Sequence, residues 1–213
     1  MSPASQWIIA TIAFIGGCAL WTLLEWLIHN FLGHHGKGKN PFGQEHVRHH
    51  ATTHYFAPTW KKALAAIPVI GGVLALTLLV APTYVAIPLV AGLTIMYISY
   101  EVIHRRSHTH GPTGPYSRWV RRHHYYHHFR NPRMNHGVTT PTWDMIFGTY
   151  VKVTEPIRVP EKHAMSWLVD PETGEVRAEY ADDYVIARRG DRKKQADTDT
   201  ATDEPPAALA GAA

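Results

Sequence analysis

The sequence predicts an all-α fold: an integral-membrane bundle of about three to four transmembrane helices with a cytoplasmic helical cap that carries histidine motifs. Long uncharged runs occupy 7–24 and 63–100, and all sixteen histidines lie outside these runs. The single cysteine, Cys18, excludes an intramolecular disulfide framework and a cysteine-ligated cluster within one chain. Any metal chemistry must therefore rest mostly on histidine.

The first apolar run has no charge from 7 to 24 and continues past Glu25 to Ile28. A bilayer-spanning helix needs about 20 apolar residues, so this run is long enough to span. A cleaved signal peptide is the alternative, but no basic residue precedes Trp7 and the run is longer than a typical signal core. We expect a transmembrane helix here.

The second run, 63–100, is close to twice the length that one span needs. Pro82 lies near its middle and is the natural break. We therefore expect a tight hairpin of two spanning helices, roughly 63–81 and 83–104.

Basic residues lie on one side of these three spans: Lys37, Lys39, Arg48, Lys61, Lys62, Arg105 and Arg106. The positive-inside rule assigns this side to the cytoplasm, with 30–61 and 105–213 facing in. Although the net charge is +4, the flanking membrane segments favour a membrane face over nucleic acid as its explanation. No nucleic-acid partner is expected.

Three regions follow along the chain. Residues 1–150 form the membrane-embedded domain, 151–190 form a small cytoplasmic C-terminal segment, and the Asp-, Thr-, Pro- and Ala-rich stretch 191–213 has the composition of a disordered tail. A β-hairpin is expected around the Pro-Glu-Thr-Gly sequence 171–174.

The histidines form four boxes of paired or tripled residues: His29 and His34; His46, His49 and His50; His104 and His108; His124, His127 and His128. Helical residues at i, i+3 and i+4 share a face, so each HxxHH box should aim three imidazoles at one point. The first pair, five residues apart, would diverge on a continuous α-helix, which predicts a helix end or distortion near Gly33. Ten imidazoles suffice for two metals with four to five ligands each. A ligating histidine usually donates its other ring N–H to an acceptor, and five residues are candidates for this outer layer: Glu25, Glu45, Glu101, His136 and Asp144.

The order of the boxes, followed by Asn-His-Gly-Val-Thr-Thr-Pro-Thr-Trp-Asp-Met-Ile-Phe-Gly-Thr at 135–149, resembles the fatty acid hydroxylase superfamily, and within it the fatty acid 2-hydroxylases. The resemblance covers about 20–150. It implies a histidine-ligated dimetal oxygenase that uses O2 and two electrons to hydroxylate an unactivated C–H bond of a lipid, with the ten boxed histidines as ligands. Iron is the expected metal; zinc can occupy such sites but has no redox chemistry.

The chain also departs from that family pattern. It lacks a fused cytochrome b5 domain, so a separate ferredoxin or cytochrome is expected to donate electrons, and three spans are predicted where relatives often have four. The basic residues Lys61, Lys62, Arg105, Arg106, Arg121 and Arg122 could hold lipid phosphates, dock an acidic donor or simply set topology. The absence of an ER-retrieval ending favours a bacterial cytoplasmic membrane.

Other functions stay open at this point. Carotene hydroxylases share a similar box set, so a carotenoid or sterol hydroxylase or desaturase is an alternative. A metal transporter would hold its ligands near the bilayer midplane, and a haem protein would need axial histidines within facing spans. The boxes instead cluster at one membrane face, which favours the lipid oxygenase.

Overall fold

A computed structural model describes residues 1–189 of the chain, so the predicted tail at 191–213 lies outside the described residues. The helices are α1 (Pro3–Leu27), a π-helical turn that continues it (Ile28–His35), α2 (Pro41–Ala51), α3 (Thr59–Val80), α4 (Thr83–Thr109), α5 (Pro115–Phe129) and α6 (Thr142–Ile146). Two short strands, β1 (Ile157–Pro160) and β2 (Tyr184–Ala187), pair in parallel. The predicted helical fold is confirmed.

Three helices within the described residues are long and apolar enough to cross a membrane: α1 with its π-helical turn, α3, and α4. Their most apolar windows are at most 22% buried inside the protein. Large side chains such as Leu79 and Val80 are 80% and 85% exposed. Exposure of such apolar surface is unfavourable in water and favourable in contact with lipid. The chain is an integral membrane protein, and the predicted hairpin of spans is present.

Two spans, α1 and α4, approach each other closely at glycine residues; histidines follow α1 on the π-helical turn and lie near the end of α4. A Cβ atom on Gly17 would lie 1.9 Å from the carbonyl oxygen of Leu89, and one on Gly92 would lie 2.0 Å from that of Phe14. Only a residue without a side chain fits at either position. Small residues at such crossings let helix backbones meet in membranes, and this contact holds together the two spans whose ends bear histidines.

The C-terminal segment packs on α5 through an apolar cluster of its own. Buried members are Tyr125 of α5 together with Ile157, Val159, Met165, Leu168, Tyr184 and Ile186. The expected β-hairpin reduces to one antiparallel bridge between Val169 and Val176, with the chain reversing near Gly174 at φ 68°. The regular strands form elsewhere: β1 and β2 pair across the 23 residues that separate them, which include Met165 and Leu168.

Candidate metal centre

The first histidine pair lies on the π-helical turn, where the backbone winding widens. The Gly36 N–H donates to the carbonyl of Phe31, five residues earlier, at 2.8 Å. This i→i+5 pattern adds a residue to the turn, so His29 and His34 return to one face. Their ring centroids lie 5.2 Å apart. The distortion expected near Gly33 is therefore present as a widened turn instead of a helix end.

The boxed histidines lie in two groups of five. The first histidine cluster comprises His29, His34, His46, His50 and His127, and the second histidine cluster comprises His49, His104, His108, His124 and His128. In each cluster, one nitrogen from every ring lies within 4.8 Å of the others, and each cluster could hold a metal ion. Four elements far apart in sequence thus bring all ten boxed histidines together.

Each HxxHH box divides between the two clusters, which corrects the expectation that a box aims three imidazoles at one point. In α2, His46 and His50 join the first cluster while His49 joins the second. In α5, the i and i+4 residues join the second cluster and the i+3 residue joins the first. Adjacent residues of an α-helix point in directions about 100° apart. The side chains of His49 and His50, and likewise those of His127 and His128, therefore point towards different clusters.

Several ring nitrogens within each cluster are close to one another. In the first cluster, Nε2 of His34 lies 2.9 Å from Nε2 of His46 and of His127, and Nε2 of His127 lies 3.2 Å from that of His50. In the second, the Nε2 atoms of His108 and His124 are 2.9 Å apart and those of His104 and His49 are 3.1 Å apart. Metal–imidazole bonds are about 2.0–2.1 Å long, so nitrogens at these separations can reach a common ion.

Backbone carbonyls orient three of these imidazoles. The Nδ1–H of His29 donates to the carbonyl of His136 at 2.5 Å, that of His49 to Tyr55 at 2.8 Å, and that of His127 to Met134 at 2.8 Å. A neutral ring with its proton on Nδ1 presents a lone pair on Nε2. Among the described residues, Nε2 of His29 is buried without a hydrogen-bond partner, as expected for a nitrogen available to a metal.

The three glutamates expected to accept N–H groups from these rings have other partners. Glu25 of α1 accepts from the backbone N–H of Val138 and Thr139 and from the Thr139 hydroxyl. Glu45 accepts from Tyr55 and Lys61, and Glu101 pairs with Lys62. Glu25 thereby attaches the first span to the loop after α5. The ring N–H groups of His29, His49 and His127 donate instead to backbone carbonyls, which carry no side-chain signal in a sequence.

Asp144, the fourth carboxylate in that prediction, organises the loop beside the first cluster. It is fully buried and accepts hydrogen bonds from the backbone N–H of His136 and Gly137, the indole of Trp26, the hydroxyl of Thr149 and the ring of His123. Because the carbonyl of His136 accepts the hydrogen bond from His29, Asp144 acts on that imidazole through one peptide unit and not by direct contact.

The ring of His136, also expected in this outer layer, lies beside the first cluster. Its centroid is 5.3 Å from that of His127 and 5.5 Å from that of His29, and its Nδ1 is 3.6 Å from Asp144. His123 was not singled out from the sequence. It is buried between Trp119 and Tyr150, stacked at 4.8 Å and 5.8 Å, and its bond to Asp144 closes the polar network.

Electrostatics favour neutral imidazoles in both clusters. Burial lowers the pKa of His49 to about 4, and burial together with the neighbouring histidines holds the pKa of His46, His124, His127 and His128 well below its usual range. Neutral imidazole is the metal-binding form. Burial alone would raise the pKa of the Asp144 carboxyl, but hydrogen bonds from His123, His136 and Thr149 hold it below its usual range.

Four of the six basic residues considered for docking are engaged within the protein. Arg121 is 4% exposed and donates to backbone carbonyls, so it cannot present its charge to a partner. Arg122 pairs with the buried carboxylate of Asp183 at 3.0 Å. Lys61 and Lys62 pair with Glu45 and Glu101.

A sequence model of the fatty acid hydroxylase family matches residues 14–149, which include both histidine clusters. The chain belongs to the fatty acid hydroxylase family. This family member is 29% identical to the ceramide very long chain fatty acid hydroxylase SCS7 of Saccharomyces cerevisiae, over 70% of its own length and 41% of that protein. It is 32% identical to the fatty acid 2-hydroxylase of Rattus norvegicus, over 65% of its own length and 39% of that protein.

A solved structure of full-length scs7p, in which only the hydroxylase domain is visible, is similar in fold to this family member. The TM-score is 0.56 at 28% sequence identity, over 71% of this chain and 60% of the other. The dihydroceramide fatty acyl 2-hydroxylase FAH2 of Arabidopsis thaliana is 29% identical, over 62% of this chain and 58% of that protein. The chain thus spans about two to three fifths of the length of these curated relatives.

Proposed function

We propose that this chain is an O2-dependent lipid hydroxylase that oxidises a C–H bond of a fatty acyl chain at a dimetal centre. The observation that carries the proposal is the pair of adjoining five-imidazole clusters at the ends of membrane spans. The ten boxed histidines are the proposed ligands. Membership of the fatty acid hydroxylase family supports the reaction class.

Two iron ions bound in these clusters would supply O2 activation and removal of hydrogen from the unactivated C–H bond. The reaction balances as RH + O2 + 2 electrons + 2 protons giving ROH and water, so an external reductant is required. We propose a ferredoxin- or cytochrome-type carrier for this role. Zinc fits the same imidazoles but has no redox chemistry, so a zinc-loaded protein would bind metal without turnover.

The chain's own residues hold and shield the centre in this proposal. Carbonyls of His136, Tyr55 and Met134 fix the tautomer of one imidazole each. Burial favours neutral rings on α2 and α5, and the rings of His29, His49, His108, His124 and His127 are shielded from bulk water. The protein therefore contributes ligand orientation and a dry site, while the bound metals contribute the oxidation.

An apolar rim beside the first cluster supports access for an acyl chain. Met145, Ile146 and Phe147 follow one another in and after α6 and are all about half-exposed, as is Phe31 on the π-helical turn. Phe147 packs against Trp26 at 4.4 Å, and Trp26 lies 5.9 Å from His136. An acyl chain in the adjacent bilayer leaflet could reach the first cluster along this rim without crossing water.

The relatives suggest the substrate class. Their names describe ceramide very long chain fatty acid, fatty acid and dihydroceramide fatty acyl hydroxylation, the last two at position 2. We propose a fatty acyl chain, free or amide-linked, with hydroxylation near its head group. A carotenoid or sterol would use the same metal scaffold, and product analysis distinguishes these substrates. By the positive-inside rule, the clusters face the cytoplasm.

The test is mass spectrometry of total lipids from cells that express the chain, with His127→Ala and His54→Ala variants at matched membrane levels. His54 is exposed and lies outside both clusters, so it is the matched control. A lipid heavier by one oxygen atom, present with the intact chain and His54→Ala but absent with His127→Ala, supports the proposal and identifies the substrate. A species lacking two hydrogens would indicate a desaturase. With a reductant supplied, an unchanged lipid profile would contradict lipid oxidation.

A further inference from the structure

Arg121 of α5 binds the end of α4. Its guanidinium donates to the carbonyl of Arg106 at 2.9 Å, to that of His110 at 2.6 Å and 2.9 Å, and to that of Ser117 at 2.7 Å. The last carbonyls of a helix have no partner within the helix, and a cation at that end is favourable. Arg121 is thus a buried cap on the helix that carries His104 and His108.

Tyr125, one turn further along α5, makes a second attachment to the same helix. Its hydroxyl donates to the carbonyl of Ser107, and its ring lies 5.4 Å from that of His108. Both Tyr125 and Ser107 are fully buried. Arg121 and Tyr125 therefore fix α4 to α5 on either side of His124, which also lies on α5 and faces His108.

Trp167 of the C-terminal segment supports both attachments. The Arg121 guanidinium lies 5.6 Å above its ring, within cation–π range. The Tyr125 ring stacks on it at 6.2 Å with planes inclined by 17°. Trp167 is held in turn by the apolar cluster of β1, β2 and the residues between them. This segment lies outside 14–149, the residues that the family match covers.

We infer that the segment 157–187 is a brace that positions the second histidine cluster, acting through Trp167 on Arg121 and Tyr125. This inference rests on the proposed metal centre. Without the guanidinium, the carbonyl of Arg106 keeps only the N–H of His110 as its donor, and the carbonyl of His110 loses its contact with α5. The end of α4, and with it the His104 and His108 rings, is then held less firmly against α5. Loss of a residue that orients metal ligands typically weakens metal binding by about 10- to 100-fold.

The first histidine cluster does not depend on this brace. Four of its members come from the π-helical turn and α2, which lie outside the Arg121 and Tyr125 contacts. The fifth, His127, donates to the carbonyl of Met134. The brace therefore predicts a selective defect: one metal site weakens while the other keeps its affinity. General unfolding would weaken both.

The experiment measures zinc bound by the full chain in detergent, under competition with a chelator. Arg121→Met keeps the aliphatic stem and removes the donors, and Arg130→Met is the matched control. Arg130 lies directly after α5 and is exposed. We expect wild type and Arg130→Met to hold about two zinc ions, and Arg121→Met to hold one of them about 10- to 100-fold more weakly.

Two backgrounds assign the weakened site. With His34→Ala and His127→Ala, which disable the first cluster, the Arg121→Met effect should persist on the remaining zinc. With His108→Ala and His124→Ala, which disable the second, it should disappear. Trp167→Ala should reproduce the Arg121→Met defect, and Trp167→Phe should largely restore zinc affinity.

Several outcomes overturn the inference. These are unchanged zinc affinity in Arg121→Met or Trp167→Ala, equal weakening at both clusters, or the same defect in Arg130→Met. A wild-type chain that binds no zinc or iron would overturn the proposed metal centre together with the brace. Two tightly bound ions in Arg121→Met would overturn the brace alone.

Discussion

His50 and His128 stack face to face, with ring centroids 4.1 Å apart and planes inclined by 13°, although they belong to different histidine clusters. The clusters therefore adjoin directly, with only imidazole between them. α2 and α5 each contribute to both clusters, so the two sites share their supporting helices. A substitution at this contact should therefore change metal affinity at both clusters.

His50→Ala should accordingly weaken metal binding at both clusters, since it removes one first-cluster imidazole and the ring that packs on His128. His34→Ala should weaken the first cluster by at least about tenfold and leave the second unchanged. Chelator competition with zinc measures both affinities. His54→Ala is the control, and indistinguishable behaviour of His50→Ala and His34→Ala would contradict the shared contact.

Asp144→Asn should destabilise the protein by at least about 2 kcal/mol, because an amide cannot accept the five hydrogen bonds that converge on this carboxylate. The free energy of unfolding in detergent measures the loss. Metal affinity should also fall at the first cluster, because the carbonyl of His136 is then less firmly placed. Asp182→Asn, at an exposed carboxylate outside the network, should change neither quantity.

Gly92→Ala should separate α1 from α4, because its Cβ would lie 2.0 Å from the carbonyl oxygen of Phe14. Overpacking of this kind costs about 1–3 kcal/mol, measurable as a lower unfolding temperature. Gly71→Ala is the matched control on α3, where an added Cβ meets nothing within 4 Å. Its expected effect is slight stabilisation from helix propensity. Equal stability of the two variants would contradict the close crossing.

Zinc uptake at pH 6 should release few protons. Six boxed histidines lie on α2 and α5, outside the spans, and with ordinary pKa values near 6.5 they would release about four to five protons per chain. Burial lowers their pKa values, that of His49 to about 4, so we expect less than about one from these six. Calorimetry in two buffers of different ionisation enthalpy counts the protons, and a release of four or more would contradict neutral, buried rings.

The same lowered pKa values set the sign of the stability change with pH. Between about pH 6.5 and 4 the unfolded chain binds more protons than the folded chain, so stability is present above this window and falls with decreasing pH. The metal-free protein should therefore unfold at lower temperature at pH 5 than at pH 7.

The spans and the grouping of the histidines could be predicted because both depend on local patterns. An uncharged run such as 63–100 has few alternatives to crossing a bilayer, and topology then brings the boxes to one face. The division of each box was missed, because the i, i+3, i+4 rule treats 46, 49 and 50 as one face. The rule does not say which histidines of that face belong to which of two adjoining metal sites.

The partners of the ring N–H groups could not be predicted for a different reason. Every residue has a backbone carbonyl, so the residue types His136, Tyr55 and Met134 give no sign that their carbonyls accept these hydrogen bonds. The sequence indicated carboxylates a few residues away from the boxed histidines, such as Glu25 and Glu101. In the folded protein, Glu25 instead binds the loop after α5 and Glu101 pairs with Lys62. The role of Trp167 depends on contacts with α5 that no local pattern encodes.

The number of residues that separates the two histidines of a pair matches the winding of the helix that carries them. His104 and His108 are four residues apart on ordinary α winding, whereas His29 and His34 are five apart on a turn that holds one more residue. The two spacings are thus equivalent solutions to the same problem of returning two rings to one face. Deletion of one residue between His29 and His34 would be compatible with a common face if the backbone also returned to α winding, so spacing and winding are expected to change together.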